Sequence, residues 1–179
     1  MKREIDVPDG VEVRLEGNDL VVKGPKGELR RTFVNPQVKI AVSDNKITIV
    51  SDTERRRVKA LVGTWASHSR NMIIGVTKGW MAKLKIVYSH FPIKFKVENN
   101  RIVVQNFLGE RKDRVISINR DVKVELKKDE VIVTGINKED VGQVAANIET
   151  MTKVKKFDRR VFQDGIHLVQ KCTPIGNGE

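Results

Sequence analysis

The stretch Leu20-Val-Val-Lys-Gly-Pro-Lys-Gly-Glu28 decides the fold, because it comes back 82 positions later as Ile102-Val-Val-Gln-Asn-Phe-Leu-Gly-Glu110. The residues after it repeat as well. Val38-Lys-Ile-Ala-Val42 returns as Val122-Lys-Val-Glu-Leu126, and Ile47-Thr-Ile49 as Val131-Ile-Val133, both 84 positions on. A repeat this long is a whole folding unit, since a solenoid module has a period of about twenty to fifty residues. In a chain of 179 residues it predicts two related small domains in tandem.

Working outward, the local periods give each copy the same plan. Val11 to Leu15 alternates apolar and charged residues, as a half-buried strand does, and Gly17-Asn-Asp19 turns it back into Leu20–Lys23. Gly24-Pro-Lys-Gly27 turns the chain again, 29–34 is a candidate third strand, and 38–42 with 47–50 is a hairpin. The period then changes. Val58, Leu61, Val62, Trp65, Met72 and Ile73 mark one face of a helix over about 54–73, with Ser51-Asp-Thr-Glu54 at capping-box spacing before it. Gly75 and Gly79 bracket its exit. In the second copy, 80–89, 93–98 and 101–105 read as strands and 121–126 with 130–134 as a hairpin. Val141, Val144, Ala145, Ile148 and Met151 then make a helical stripe, capped by Asn137 with Asp140 reaching back. A last strand is expected at 166–169.

The fold class is therefore α+β: a tandem duplication in which an antiparallel-rich sheet is packed by one main helix in each copy. The expected domains are 1–79, 80–172 and a short polar tail, 173–179.

Charge narrows the function. The net charge is +11 and the isoelectric point about 9.9, which suits a polyanionic partner. From Arg55 to Val97 there is no Asp or Glu but ten Lys or Arg. A second cluster, Lys153, Lys155, Lys156, Arg159 and Arg160, encloses only Asp158. The lone cysteine, Cys172, leaves no internal disulfide and fits a reducing compartment. With no apolar leader and no membrane-length run, the expected location is cytoplasmic, with no membrane partner.

Candidate chemical motifs are weak. Gly24-Pro-Lys-Gly27 matches the backbone-clamping loop of a KH domain, but that loop joins helices and this one lies between strands, so it reads as a hairpin turn. His68, His90 and His167 do not converge with Cys172 on a zinc-ligand pattern, so no metal and no cofactor is expected. No nucleophile with a base, and no pair of acids, stands out as catalytic, so neither an enzyme nor a small-molecule substrate is expected. Trp65 belongs to the helical stripe and Trp80, next to Gly79, is expected to pack at the junction between units, with base stacking the alternative for either; Tyr88 and Phe91 lie in the acid-free run, where core packing and stacking on RNA are both open. Arg55-Arg-Arg57 and Lys59 oppose the helix macrodipole; either a partner needs that charge, or Asp52 and Glu54 neutralise it.

The sharpest candidate is the stretch 153–165. It leaves a helix C-terminus carrying five cations, with Phe157 and Phe162 as anchors, and suits phosphate contact. Asp164 and Gly165 are expected to form a structural turn that presents it.

Four stretches carry a resemblance over essentially the whole chain: Asn71-Met-Ile-Ile-Gly-Val-Thr-Lys-Gly79, Tyr88-Ser-His-Phe-Pro-Ile93, Asn106-Phe-Leu-Gly-Glu110 and Arg160-Val-Phe-Gln-Asp-Gly-Ile166. The sequence resembles the family of ribosomal protein six of the large subunit, in its archaeal and eukaryotic branch. It departs from that branch at His167, where Tyr is expected. The resemblance implies a duplicated α+β fold. It also implies binding to large-subunit (23S-type) rRNA near the sarcin–ricin loop and the stalk base, beside the translation-factor site and among neighbouring ribosomal proteins, with most rRNA contacts in the second domain. The expected RNA-binding residues are Lys153, Lys155, Lys156, Arg159, Arg160 and Lys171, then Tyr88, His90 and Lys94. An extra-ribosomal RNA-binding adaptor is the alternative, distinguished by whether the protein sediments with the large subunit.

Overall fold

Alternating apolar residues set the strands, and the repeat sets their order. The structure is a computed structural model that describes residues 1–43, 45–118, 121–158 and 160–176. The chain divides into two compact units, Met1–Gly79 and Trp80–Glu179.

In the first unit β1 (Lys2–Asp6), β2 (Glu12–Glu16), β3 (Asp19–Gly24), β4 (Gly27–Thr32), β5 (Val38–Ser43) and β6 (Lys46–Ser51) form two antiparallel sheets, ordered β1-β6-β5 and β2-β3-β4. The helix α1 (Arg56–Thr77) packs on them. Leu20 and Val22 on β3, Ile47 and Ile49 on β6, and Val62 and Val76 on α1 are fully enclosed, each contributing about 1.5–3 kcal/mol by leaving water. Trp65 closes this core with its ring 5.0 Å from Phe33.

The second unit has the same plan with an addition. β7 (Trp80–Val87) takes the place of β1, β8 (Lys94–Glu98), β9 (Arg101–Gln105) and β10 (Arg114–Ser117) repeat β2 to β4, and β11 (Val122–Lys127) and β12 (Glu130–Gly135) repeat the hairpin. The helix α2 (Lys138–Met151) comes next, and then β13 (Gly165–Pro174) adds to the edge of β7, giving the order β11-β12-β7-β13. Leu84, Val131, Val133, Ile148 and Ile166 are its buried centre.

Several expectations shift. β1 and β10 have no counterpart among the expected strands, because one is nearly all charged with a single buried residue, Ile5, and the other is four residues long with Val115 exposed. α1 begins at Arg56, not 54, and the capping box does not form. Ser51 ends β6, and its hydroxyl oxygen accepts from the Thr53 amide at 3.2 Å; Arg55 is the N-cap, with no side-chain cap. The helix also runs past Gly75 to Thr77, since Val76 continues the buried stripe. It stops at Gly79, whose φ of 78° lies in the left-handed region that glycine alone adopts freely. Asn137 caps α2 as expected: its side-chain oxygen accepts from the Glu139 amide at 3.0 Å, and its amide nitrogen donates to Asp140 at 2.8 Å. β13 runs on to Pro174, two residues into the expected tail, while 177–179 lie outside the described residues.

Candidate nucleic-acid interface

The basic stretch after α2 is a loop clamped at its base. Thr152, buried at the helix end, donates its hydroxyl to the Ile148 carbonyl at 3.2 Å and accepts from the Ile166 amide at 2.9 Å. The two ends of 153–164 are thereby held together. Gly165 is glycine because a Cβ there would stand 3.2 Å from the Thr152 carbonyl oxygen and 3.3 Å from the His167 ring. Inside the loop, the Asp158 carboxylate accepts from the Arg160 amide at 2.9 Å, and its carbonyl accepts from Val161 and Phe162. That is the turn of this segment. Asp164 and Gly165, expected to form it, do not: Gly165 opens β13 opposite Val87, and Asp164 is a buried anchor.

Asp164 joins this loop to the one after β7. It is only 1% exposed, and its carboxylate accepts from the Ser89 hydroxyl at 3.0 Å and the His90 amide at 3.3 Å, with His90 Nδ1 at 3.2 Å. Burial alone would raise this carboxyl, but the hydrogen bonds from His90 and Ser89 outweigh it and hold the group below the ordinary carboxylate value. Ser, His and Asp meet here without forming a nucleophilic relay. In such a relay the serine and the carboxylate bond opposite nitrogens of the imidazole. Here Ser89 and Asp164 both crowd Nδ1, so the group is a joint. The His90 ring also stacks on Phe162, 4.6 Å between centroids, and Phe162 meets Phe157 at 4.8 Å.

A third loop reaches the same end of the unit. Asn106–Glu110 takes three residues into the left-handed region: Asn106 (φ 58°), Leu108 (φ 50°) and Gly109 (φ 74°). Asn106 donates to the Pro92 carbonyl at 3.1 Å, and Phe107 is buried beneath the Arg114 guanidinium, 4.2 Å from the ring centre. Arg114 forks onto the Glu110 carboxylate and also donates to the Met151 carbonyl at the end of α2. The fork lowers the Glu110 carboxyl.

Of the residues nominated from sequence, Lys153, Lys155, Lys156 and Arg160 are exposed on the clamped loop. Tyr88 and His90 stand on the loop that Asp164 ties to it, and Lys94 opens β8 opposite Gln105, next to Asn106. Lys171 is exposed but lies six residues along β13 from Gly165, about 20 Å away at strand rise, and is not brought to this cluster. Arg159 lies outside the described residues. Arg55, Arg56, Arg57 and Lys59 are exposed in the first unit, and the first turn of α1 contains no acid. Sequence reasoning missed Arg114 and Asp158. Nothing local marks Arg114, whereas Asp158 two positions before Arg160 is a readable Asx-turn signal. Among the described residues no group of three His, Cys, Asp or Glu could hold a metal ion, and no helix is long and apolar enough to cross a membrane.

Comparison with known proteins agrees with the duplicated architecture. The family model for ribosomal protein L6 matches twice, over residues 7–79 and 91–165. A large ribosomal subunit protein uL6 from Methanosarcina mazei is 50% identical over 170 residues, covering 95% of this chain and 97% of that protein. The uL6 of Methanothrix thermoacetophila is 50% identical over 169 residues (94% and 96%), and that of Methanobrevibacter smithii 47% identical over 171 (96% of each). With both repeats matched and half of all positions shared with these proteins almost end to end, the chain belongs to the ribosomal protein L6 family, in its archaeal branch.

Proposed function

We propose that this chain is a structural, non-enzymatic constituent of the cytoplasmic large ribosomal subunit, and that it grips large-subunit rRNA with the three-loop end of its second unit. Membership of the L6 family and the names of its close relatives support the ribosomal role. The observation that carries the site is the Asp164 joint. It locks a loop rich in exposed cations to the Tyr88–His90 loop, so the charge is presented on a fixed frame. Lys153, Lys155, Lys156, Arg159 and Arg160 then neutralise phosphates, which supplies affinity, while the rigid loops supply shape; RNA helices are read largely by shape and backbone. Tyr88, His90 and Lys94 flank the contact, and Lys171 makes a separate one.

The place we assign is near the sarcin–ricin loop and the stalk base, beside the translation-factor site and against neighbouring large-subunit proteins. Crosslinking within the intact large subunit tests it. Crosslinks from residues 153–163 to that region of the rRNA are expected, and crosslinks elsewhere would overturn the placement. Sucrose-gradient sedimentation tests the role itself, since an extra-ribosomal adaptor would stay out of the large-subunit peak.

A further inference from the structure

We propose that Phe157 is a stacking platform for one unpaired nucleobase of RNA, the outer rung of a ladder of three rings. This role rests on the proposed rRNA contact and names what one point of that contact takes. Phe157, Phe162 and His90 stand in sequence at 4.8 and 4.6 Å between centroids. The inner rung is fixed through His90 to the buried Asp164, so the ladder does not need ordering when a ligand arrives. Phe157 at its outer end remains 50% exposed, an apolar ring with half its surface open to a ligand.

The surroundings choose the occupant. An apolar side chain of a protein would need no charge beside it. Here Lys155 and Lys156 precede the ring and Arg160 comes after it, all exposed, and the one described acid among them, Asp158, is turned onto the loop's own Arg160 amide. A flat apolar face framed by cations matches a nucleotide, whose base stacks while its phosphates meet Lys and Arg. Lys156 also sits at φ 68°, left-handed for a residue with a Cβ, a strain that persists only where the surroundings impose it.

The test uses the full-length chain and protein-free large-subunit rRNA, with affinity measured over a series of salt concentrations. Phe157→Leu keeps the apolar bulk and removes the ring. It should weaken binding roughly five-fold to 150-fold, with an unchanged salt slope. Phe157→Tyr, which keeps the ring, should bind as the parent does, and a loss equal to that of the leucine variant would sink the idea. If Phe157→Leu binds within two-fold of the parent while Lys155→Ala with Arg160→Ala loses affinity, the rRNA reading stands and the stacking proposal falls. A defect seen only in assembled subunits, and not on protein-free RNA, would assign Phe157 to a neighbouring protein instead. If neither variant changes binding, the rRNA reading fails and the platform with it.

Discussion

The two units share one hydrophobic plan and differ at matched places. After β3 the first unit makes a tight turn that lies on the end of α1: the Lys26 amide donates to the Val76 carbonyl at 3.0 Å, and a Cβ on Gly24 would come 2.7 Å from the Val76 side chain. After β9 the second unit raises a loop held by side chains, with Arg114 reaching both Glu110 and the end of α2. α1 starts without a side-chain cap, whereas α2 starts on Asn137 with Glu139 and Asp140 in its first turn. The chain leaves α1 and enters β7 within three residues, but leaves α2 through the basic loop before β13. The core plan is thus shared between the copies, and the surface that can hold a partner is made where the second copy departs from the first.

The strongest way to probe that contrast is at the two close approaches. Gly24→Val should cost the first unit about 3 kcal/mol, since the new side chain meets Val76 and its backbone, and Gly165→Val should cost the second about 1–2 kcal/mol. Each unit holds one tryptophan, Trp65 or Trp80, so denaturant unfolding of single-tryptophan variants reports them apart. Equal costs would mean that the first turn is no tighter than the base of the second loop.

The functional asymmetry comes next. Lys155→Ala with Arg160→Ala should reduce the salt slope of rRNA binding by about one unit per lost phosphate contact, and Arg55→Ala with Arg57→Ala should reduce it less. An equal drop from the pair at the start of α1 would make the first unit a full partner in binding. Capping gives a smaller effect. Asn137→Ala should destabilise the second unit by about 1 kcal/mol, and Arg55→Asn should stabilise the first by a comparable or smaller amount, both read from unfolding midpoints.

The subtlest test is acid. The folded Asp164 carboxyl lies below its ordinary value, so its contribution is fully present above the unfolded value of about 3.9 and is lost as pH falls through the folded one. Asp164→Asn should therefore flatten the loss of second-unit stability below about pH 4, read by Trp80 fluorescence. An acid profile identical to the parent's would remove Asp164 from the joint.

Legibility depended on range. Strands with clean alternation, such as Val11–Leu15, and the stripe from Val58 to Ile73 were readable, because apolar periodicity is written in neighbouring residues. β1 and β10 were not, since one is four charged residues around a single buried Ile5 and the other is only four residues long with Val115 exposed, too little to leave a pattern. The capping box misled because Ser51 is held by β6, and sheet pairing took precedence over local helix propensity. The cations of 153–160 were visible as composition and Asp158 as a local turn signal, but the tie from Asp164 to Ser89 and His90 was not.

By itself the sequence determined the duplication, the α+β class, the basic character and the family, all of which depend on order and composition along the chain. The tertiary structure alone brings Ser89 and His90 to Asp164 some 75 residues later, ties Glu110 through Arg114 to the end of α2, and lines up His90, Phe162 and Phe157. The joint and the ladder arise because β13 pairs with β7 and sets the end of the basic loop beside the start of the 88–92 loop, and a pairing across the sheet leaves no mark in either segment alone.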